Sequence, residues 1–295
     1  MFSSGVLGGA RIEARRRLAR VLFQVGGGLA LMLALGTLGL LVFNLVKGAW
    51  PAFRWSVLTT TTQGTGGGLA NALLGTLWLG LLTTAIATPV GVATATWMTV
   101  WGRRHAQGIL LASDILAGVP SIVFGYVGYL AFVLAVGWGF SALAAAFTLG
   151  MLVLPYVVRN VAQALQQVPY QLWESAMALG FTRIRAIWHI LWPQAGPGIL
   201  TGVVLASGIA MGETAPLLYT AEWSQNLPSL ALTHHAVGYL TYVVWAFIQE
   251  PYPSAVALAY MAGLLLMLMV GSLALWGRLR VTVPRGRGGF SLPRR

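Results

Sequence analysis

The sequence predicts an all-α membrane protein with six transmembrane helices and both termini cytoplasmic. Composition, the length of the apolar blocks and the placement of charge predict it. Of 295 residues, 57% are hydrophobic and 8% charged, with a mean hydropathy of +0.77. Soluble domains carry roughly 25% charged residues, so a soluble globular enzyme is excluded. A disordered chain is excluded too, because such chains are poor in apolar residues. The apolar blocks run to about 20 residues or more, as spanning helices need, and not to the roughly 10-residue alternating strands of an outer-membrane barrel. The 18 Lys and Arg against 6 Asp and Glu give a net charge of +12, nearly all of it outside those blocks.

In chain order the spans fall at about 21–46, 70–100, 108–136, 140–158, 197–221 and 254–277. The first follows a basic segment, 1–20, and exceeds the roughly 7 to 15 residues of a cleavable signal core, so it is read as a retained span. Pro120 predicts a kink in the third, with Ser121 satisfying a freed backbone group. The fourth is the shortest. Pro216, lacking an N–H, leaves the carbonyl of Gly212 unbonded and predicts a local break in the fifth. A basic tail, 278–295, follows the sixth. Residues 21–277 form one transmembrane domain, since no span-free stretch is long enough for a separate soluble core.

With both termini inside, 16 of the 18 basic residues are cytoplasmic and only Lys47 and Arg54 lie outside; residues 222–253 contain no Lys or Arg. The excess of Lys and Arg on cytoplasmic loops sets this orientation. Two loops stand out. In the inner one, 159–193, residues such as Leu172, Trp173, Ala176, Leu179, Ile184, Ile187 and Trp188 are apolar at helical spacing, predicting short amphipathic helices at the membrane surface over about 165–193. The outer one, 222–253, mixes aromatics, prolines, His234 and His235, as a docking surface or a cap.

Glu174-Ser175-Ala176, then Gly180, then Ile190 and Pro193, resembles the EAA signature of ABC importer permeases, E-A-A-x3-G-x9-I-x-L-P. Ser175 stands for an alanine and Trp192 for the leucine. A helix, small residues, a glycine turn and a second helix make a compact knob that fits a cleft of a partner ATPase, with Ser175, Ala176 and Gly180 allowing close backbone approach. Asp114-Ile115 with Pro120-Ser121-Ile122-Val123, the step Val168-Pro169-Tyr170, and Gly212-Glu213-Thr214-Ala215-Pro216-Leu217-Leu218 are similar to the PstA permeases of bacterial phosphate-specific ABC import. So are Gly66-Gly67-Gly68, Asn71-Ala72-Leu73 and Gly75-Thr76; the likeness covers roughly residues 64–230.

This resemblance implies the MetI-like fold of a type I ABC importer permease in the bacterial inner membrane. The implied partners are a second, PstC-like permease, two PstB-like ATP-binding subunits and a periplasmic PstS-like phosphate-binding protein. The cargo is inorganic phosphate, with sulfate, molybdate or tungstate as the alternative. Ile209 stands where that family usually has an arginine four residues before the glutamate, so a Glu-Arg pair within this span is impossible.

Glu213 is the most informative residue, because an ionisable side chain inside an apolar span is costly and faces a bundle interior or a water-filled path. Broken transporter helices lie at the substrate path. Glu213 and Thr214 are therefore expected to line the route, the carboxylate accepting a hydrogen bond from the acidic proton of hydrogen phosphate. The alternative is a structural glutamate paired with a neighbouring subunit. Asp114, near the cytoplasmic start of the third span, is expected either at the inner gate or paired with Arg103 or Arg104.

The remaining signals are bland. The chain has no cysteine, hence no disulfide, zinc-thiolate site or thiol nucleophile. The glycines from Gly64 to Gly68 lack the Gly-Lys-Ser/Thr ending of a phosphate loop, so ATP hydrolysis is expected on a separate chain. Adjacent His234 and His235 point apart, against joint metal ligation. No cofactor and no catalytic residue are expected; the basic termini are expected to touch anionic lipid, not nucleic acid. An intramembrane enzyme would need Glu213, His234 and His235 to assemble a centre, with no nucleophile elbow or His-Glu-x-x-His helix present. An ion-driven carrier would need internal repeats, and none is visible.

Overall fold

The computed structural model describes residues 4–102 and 104–282. The chain divides into two units, residues 1–48 and 49–295. The first unit is the bulk of one helix, α1 (Ser4–Ala49), and the stretch Ala19–Ala52 has a mean hydropathy of 2.3 over its most apolar window. Its 34 residues reach about 50 Å at 1.5 Å per residue, ample for a hydrocarbon core of about 30 Å.

The second unit holds α2 (Ala70–Val100), α3 (Ala106–Ala117), α4 (Ser121–Ala135), α5 (Ala142–Gln166), α6 (Tyr170–Ala178), α7 (Arg183–Gly212), α8 (Ala215–Thr220), α9 (Leu240–Phe247) and α10 (Pro253–Thr282). Among the described residues, five helices are long and apolar enough to cross a membrane, and the bent pair α3 and α4 is the sixth candidate. The expected third span is therefore two helices meeting at 93°. Pro120 is the pivot: it precedes α4 with φ −55° and ψ 135° and cannot continue α3. Among the described residues the Ser121 hydroxyl has no hydrogen-bond partner, and the residue lines a cavity instead.

The fourth span also differs from expectation. It is not short: α5 has 25 residues and is the most buried of the spans. It reads as short because Arg159, Asn160, Gln163 and Gln166 interrupt its apolar run, and the charged and amide groups cluster near the end where the helix emerges. Helix α5 is the hub, packing against α2, α3, α4 and α7. Small residues permit this. A Cβ on Gly202 would lie 2.7 Å from the Asn160 Cβ, and one on Gly198 2.6 Å from the Ala164 Cβ, so the i, i+4 glycines of α7 bring it against α5 as small residues do in membrane bundles.

The glycine-rich segment before α2 is a two-stranded hairpin, Thr62–Gln63 with Gly66–Gly67. Asn71 is fully buried beneath it. Its Oδ1 accepts from the Thr62 backbone N–H and hydroxyl, both at 3.0 Å, and its Nδ2 donates to the Ser224 carbonyl at 2.9 Å. One turn on, the Thr76 hydroxyl accepts from the Leu240 N–H at 2.9 Å. The loop 222–253 is thereby built into the molecule, and it contains α9, whose Leu240 and Val243 are fully buried against α10.

Candidate functional site

Two assemblies carry the sequence motifs, at different places on the bundle. The first is the knob. Pro169 precedes α6, and the helix stops where Gly180 turns the chain at φ +79°, a left-handed conformation that costs a side-chain-bearing residue roughly 1–2 kcal/mol. The Thr182 hydroxyl then caps α7 by accepting from the Arg185 N–H at 3.3 Å. Two separate surface helices were expected; instead the second is the first turn of the fifth span, continuous through Ile187–Leu191, where the winding is π-type.

Within the knob, Glu174, Ser175 and Gly180 are exposed, whereas Ala176 is buried and its carbonyl accepts from the Phe181 N–H at 3.1 Å. Ala176 thus holds the turn from inside. The outer surface also presents Leu179, Ile184 and Trp188, each at least 60% exposed. Ile190 is half-buried and Pro193 exposed in the following helix. A cavity of about 310 Å³ separates the knob from the C-terminal end of α2, lined by Met98, Leu165, Val168, Tyr170, Trp173 and Leu191 among others.

The second assembly surrounds Glu213. Helix α7 ends at Gly212, Glu213 is extended (φ −75°, ψ 137°), and α8 begins at Ala215 with Pro216 as its second residue, where the missing N–H costs no helical bond. The fifth span is interrupted at Glu213 and Thr214. It is pinned from both sides: the Thr241 hydroxyl donates to the Glu213 carbonyl at 3.0 Å, and α4 crosses so closely that a Cβ on Gly125 would lie 2.8 Å from the Pro216 Cα. Glu213 lines a cavity of about 190 Å³ with Leu116, Ala117, Ser121, Phe124 and Tyr156, volume for several waters. The breaks at Pro120 and at Glu213 therefore face one space. Thr214, partly exposed, spends its carbonyl on the N–H groups of Leu217 and Leu218.

Asp114 pairs with Arg159 of α5 at 2.5 Å, and not with Arg104; Arg103 lies outside the described residues. The pair abuts the same region through its own helices, because Leu116 and Ala117 follow Asp114 on α3 and Tyr156 precedes Arg159 by three residues on α5. Sequence reasoning missed the pairing of Arg159 with Asp114 and the place of Tyr156 on the Glu213 cavity, neither of which spacing alone gives. Ile209 is partly buried against the main apolar core, where an arginine would carry a desolvation cost. No group of His, Asp or Glu arranged for a metal occurs among the described residues.

The family model of the binding-protein-dependent transport system inner membrane component matches residues 87–280. The chain belongs to this permease family. Its curated relatives include PstA 2, a phosphate transport system permease protein of Mycobacterium bovis, 43% identical over 81% of this chain and 80% of that one. The corresponding PstA of Xylella fastidiosa is 38% identical over 72% and 74%, and that of Haemophilus influenzae 35% identical over 81% and 85%. The permease is thus a PstA-type chain, a transport subunit and not an enzyme. Its fold is similar to that of a chain in the inward-facing MetNI methionine ABC transporter, with TM-score 0.60 and 18% identity over 72% of this chain and 94% of that one.

Proposed function

We propose that this permease forms half of the transmembrane path of an ATP-driven importer of inorganic phosphate in a bacterial inner membrane, with both termini cytoplasmic. The observation that carries the reading is the Glu213 break, where a carboxylate enters a small cavity between two interrupted helices of a PstA-type chain. Glu213, Thr214 and Asp114 lie along the route, with Gly212, Pro216 and Pro120 supplying the interruptions. Monohydrogen phosphate can donate its remaining proton to the Glu213 carboxylate, which sulfate cannot do at neutral pH.

Arg159 supplies the cation that Ile209 does not, and Asp114 holds it in the absence of anion. The knob over 165–193 engages a PstB-like ATPase through Glu174, Ser175, Gly180 and the exposed Leu179, while buried Ala176 keeps its turn and Ile190 and Pro193 join it to α7. A PstC-like permease completes the path, and a PstS-like binding protein delivers the anion at the opposite end of the bundle.

Uptake of labelled phosphate by cells with and without this chain, in excess sulfate or molybdate, tests the reading. Loss of sulfate-insensitive uptake on deletion is expected. Unchanged uptake in cells lacking any other phosphate importer would move the cargo to another oxyanion.

A further inference from the structure

The end of the second unit farthest from the knob carries one arginine. Arg54 precedes the N-terminal end of α2, whereas the knob sits beyond its C-terminal end, about 46 Å away along a helix of 31 residues. It is exposed, and the single ion pair among the described residues is Asp114 with Arg159, so no carboxylate neutralises Arg54. Its neighbours are Trp50, Phe53 and Trp55, which are 72%, 70% and 82% exposed, with Trp50 and Phe53 stacked at 6.1 Å. Exposed tryptophans of this kind settle at headgroup depth.

Arg54 also lines a cavity of about 380 Å³. The hydroxyl-bearing Ser56 and Ser254 lie on its wall beside Arg54, and Val57, Ala257 and Leu258, each under 10% exposed, supply its apolar surface. A free phosphate ion has no use for that apolar wall, while a phospholipid presents a phosphodiester next to the start of its acyl chains; in phosphatidylcholine the headgroup's own ammonium neutralises that phosphodiester, whereas in an anionic lipid its charge is left for an unpaired cation. The aromatic cluster, the unpaired cation and the amphipathic cavity match the two halves of such a molecule.

We propose that Arg54 and this cavity bind the headgroup of an anionic phospholipid, phosphatidylglycerol in a bacterial membrane, in the leaflet opposite the knob. The lipid phosphate is held by the Arg54 guanidinium with Ser56 and Ser254 in reach, and its glycerol backbone lies against Val57, Ala257 and Leu258.

The test titrates the detergent-purified permease and ATPase complex with phosphatidylglycerol and, separately, phosphatidylcholine, counting retained lipids by native mass spectrometry. Retention of phosphatidylglycerol over phosphatidylcholine is expected, about fivefold weaker in Arg54→Gln and preserved in Arg54→Lys, the scale of one interfacial basic residue. Millimolar inorganic phosphate should leave it unchanged. Equal retention by Arg54→Gln overturns the proposal, and displacement by inorganic phosphate overturns it in favour of a free-anion site. Unchanged lipid retention with lost stimulation of ATP hydrolysis by the binding protein would instead assign Arg54 to protein docking.

Discussion

The indole N–H of Trp192 donates to the hydroxyl of Thr96 across 3.0 Å, joining α7 to α2 where the EAA signature would place a leucine. Trp192 also packs edge-on against Trp188, with ring centroids 4.3 Å apart. The departure from the signature thus carries a polar tie between α7 and its neighbouring span. Thr96 remains satisfied through the Val92 carbonyl at 2.7 Å.

Removing that tie should lower stability modestly. Trp192→Phe and Thr96→Val are each expected to cost about 1 kcal/mol, lowering Tm of the purified complex by about 2–4 °C. The double variant should lose little more than either single one, the signature of a shared bond. Additive losses would show that the two side chains act independently.

Leu179 tests the knob more cleanly than Ala176. Leu179 is 78% exposed, so Leu179→Glu should leave stability within about 0.5 kcal/mol of the parent while ATP hydrolysis ceases to drive uptake. Ala176→Glu, which places a charge in a site 1% exposed, should disrupt the turn itself. Full coupling in Leu179→Glu would remove that surface from the ATPase interface.

Glu213→Gln should fold normally and lose its preference for phosphate over sulfate by about tenfold or more, the worth of a hydrogen bond to a charged group. The measurement is uptake of labelled phosphate against rising sulfate. Normal transport with intact rejection of sulfate would refute the recognition role.

The Asp114–Arg159 pair is half-exposed, so it contributes at most about 1 kcal/mol to folding. Arg159→Gln should therefore barely move Tm but strongly reduce uptake, and Arg159→Lys should partly restore it. Uptake unaffected by Arg159→Gln would confine the pair to structure.

Gly75 offers a steric test. A Cβ there would lie 1.9 Å from the Gly238 carbonyl oxygen, so Gly75→Ala should destabilise by about 1–3 kcal/mol. Gly271, with no atom within 4 Å of an added Cβ, should tolerate alanine with unchanged or slightly raised Tm.

Composition and the length of the apolar blocks determined the membrane-spanning class. Pro120 and Pro216 lie beside the two breaks, but Pro89, Pro155 and Pro197 sit inside continuous helices, so the missing N–H favours a break and the surrounding packing decides whether one forms. The EAA spacing and the sequence around Glu213 were enough to place the chain among the PstA permeases. Hydropathy could not distinguish a bent pair from one span, since a 93° turn leaves the average unchanged. It also cut α5 short at Arg159, because a span is recognised by the absence of charge while a helix needs only its backbone bonds. Which groups meet was decided by tertiary structure alone: Arg159 with Asp114, Thr96 with Trp192, and Asn71 with the Ser224 carbonyl. These partners lie 45 to 153 positions apart, and only the folded bundle brings them together. The burial of Ala176 and the exposure of Leu179 were likewise decided by packing, since both side chains are apolar and the sequence does not distinguish them.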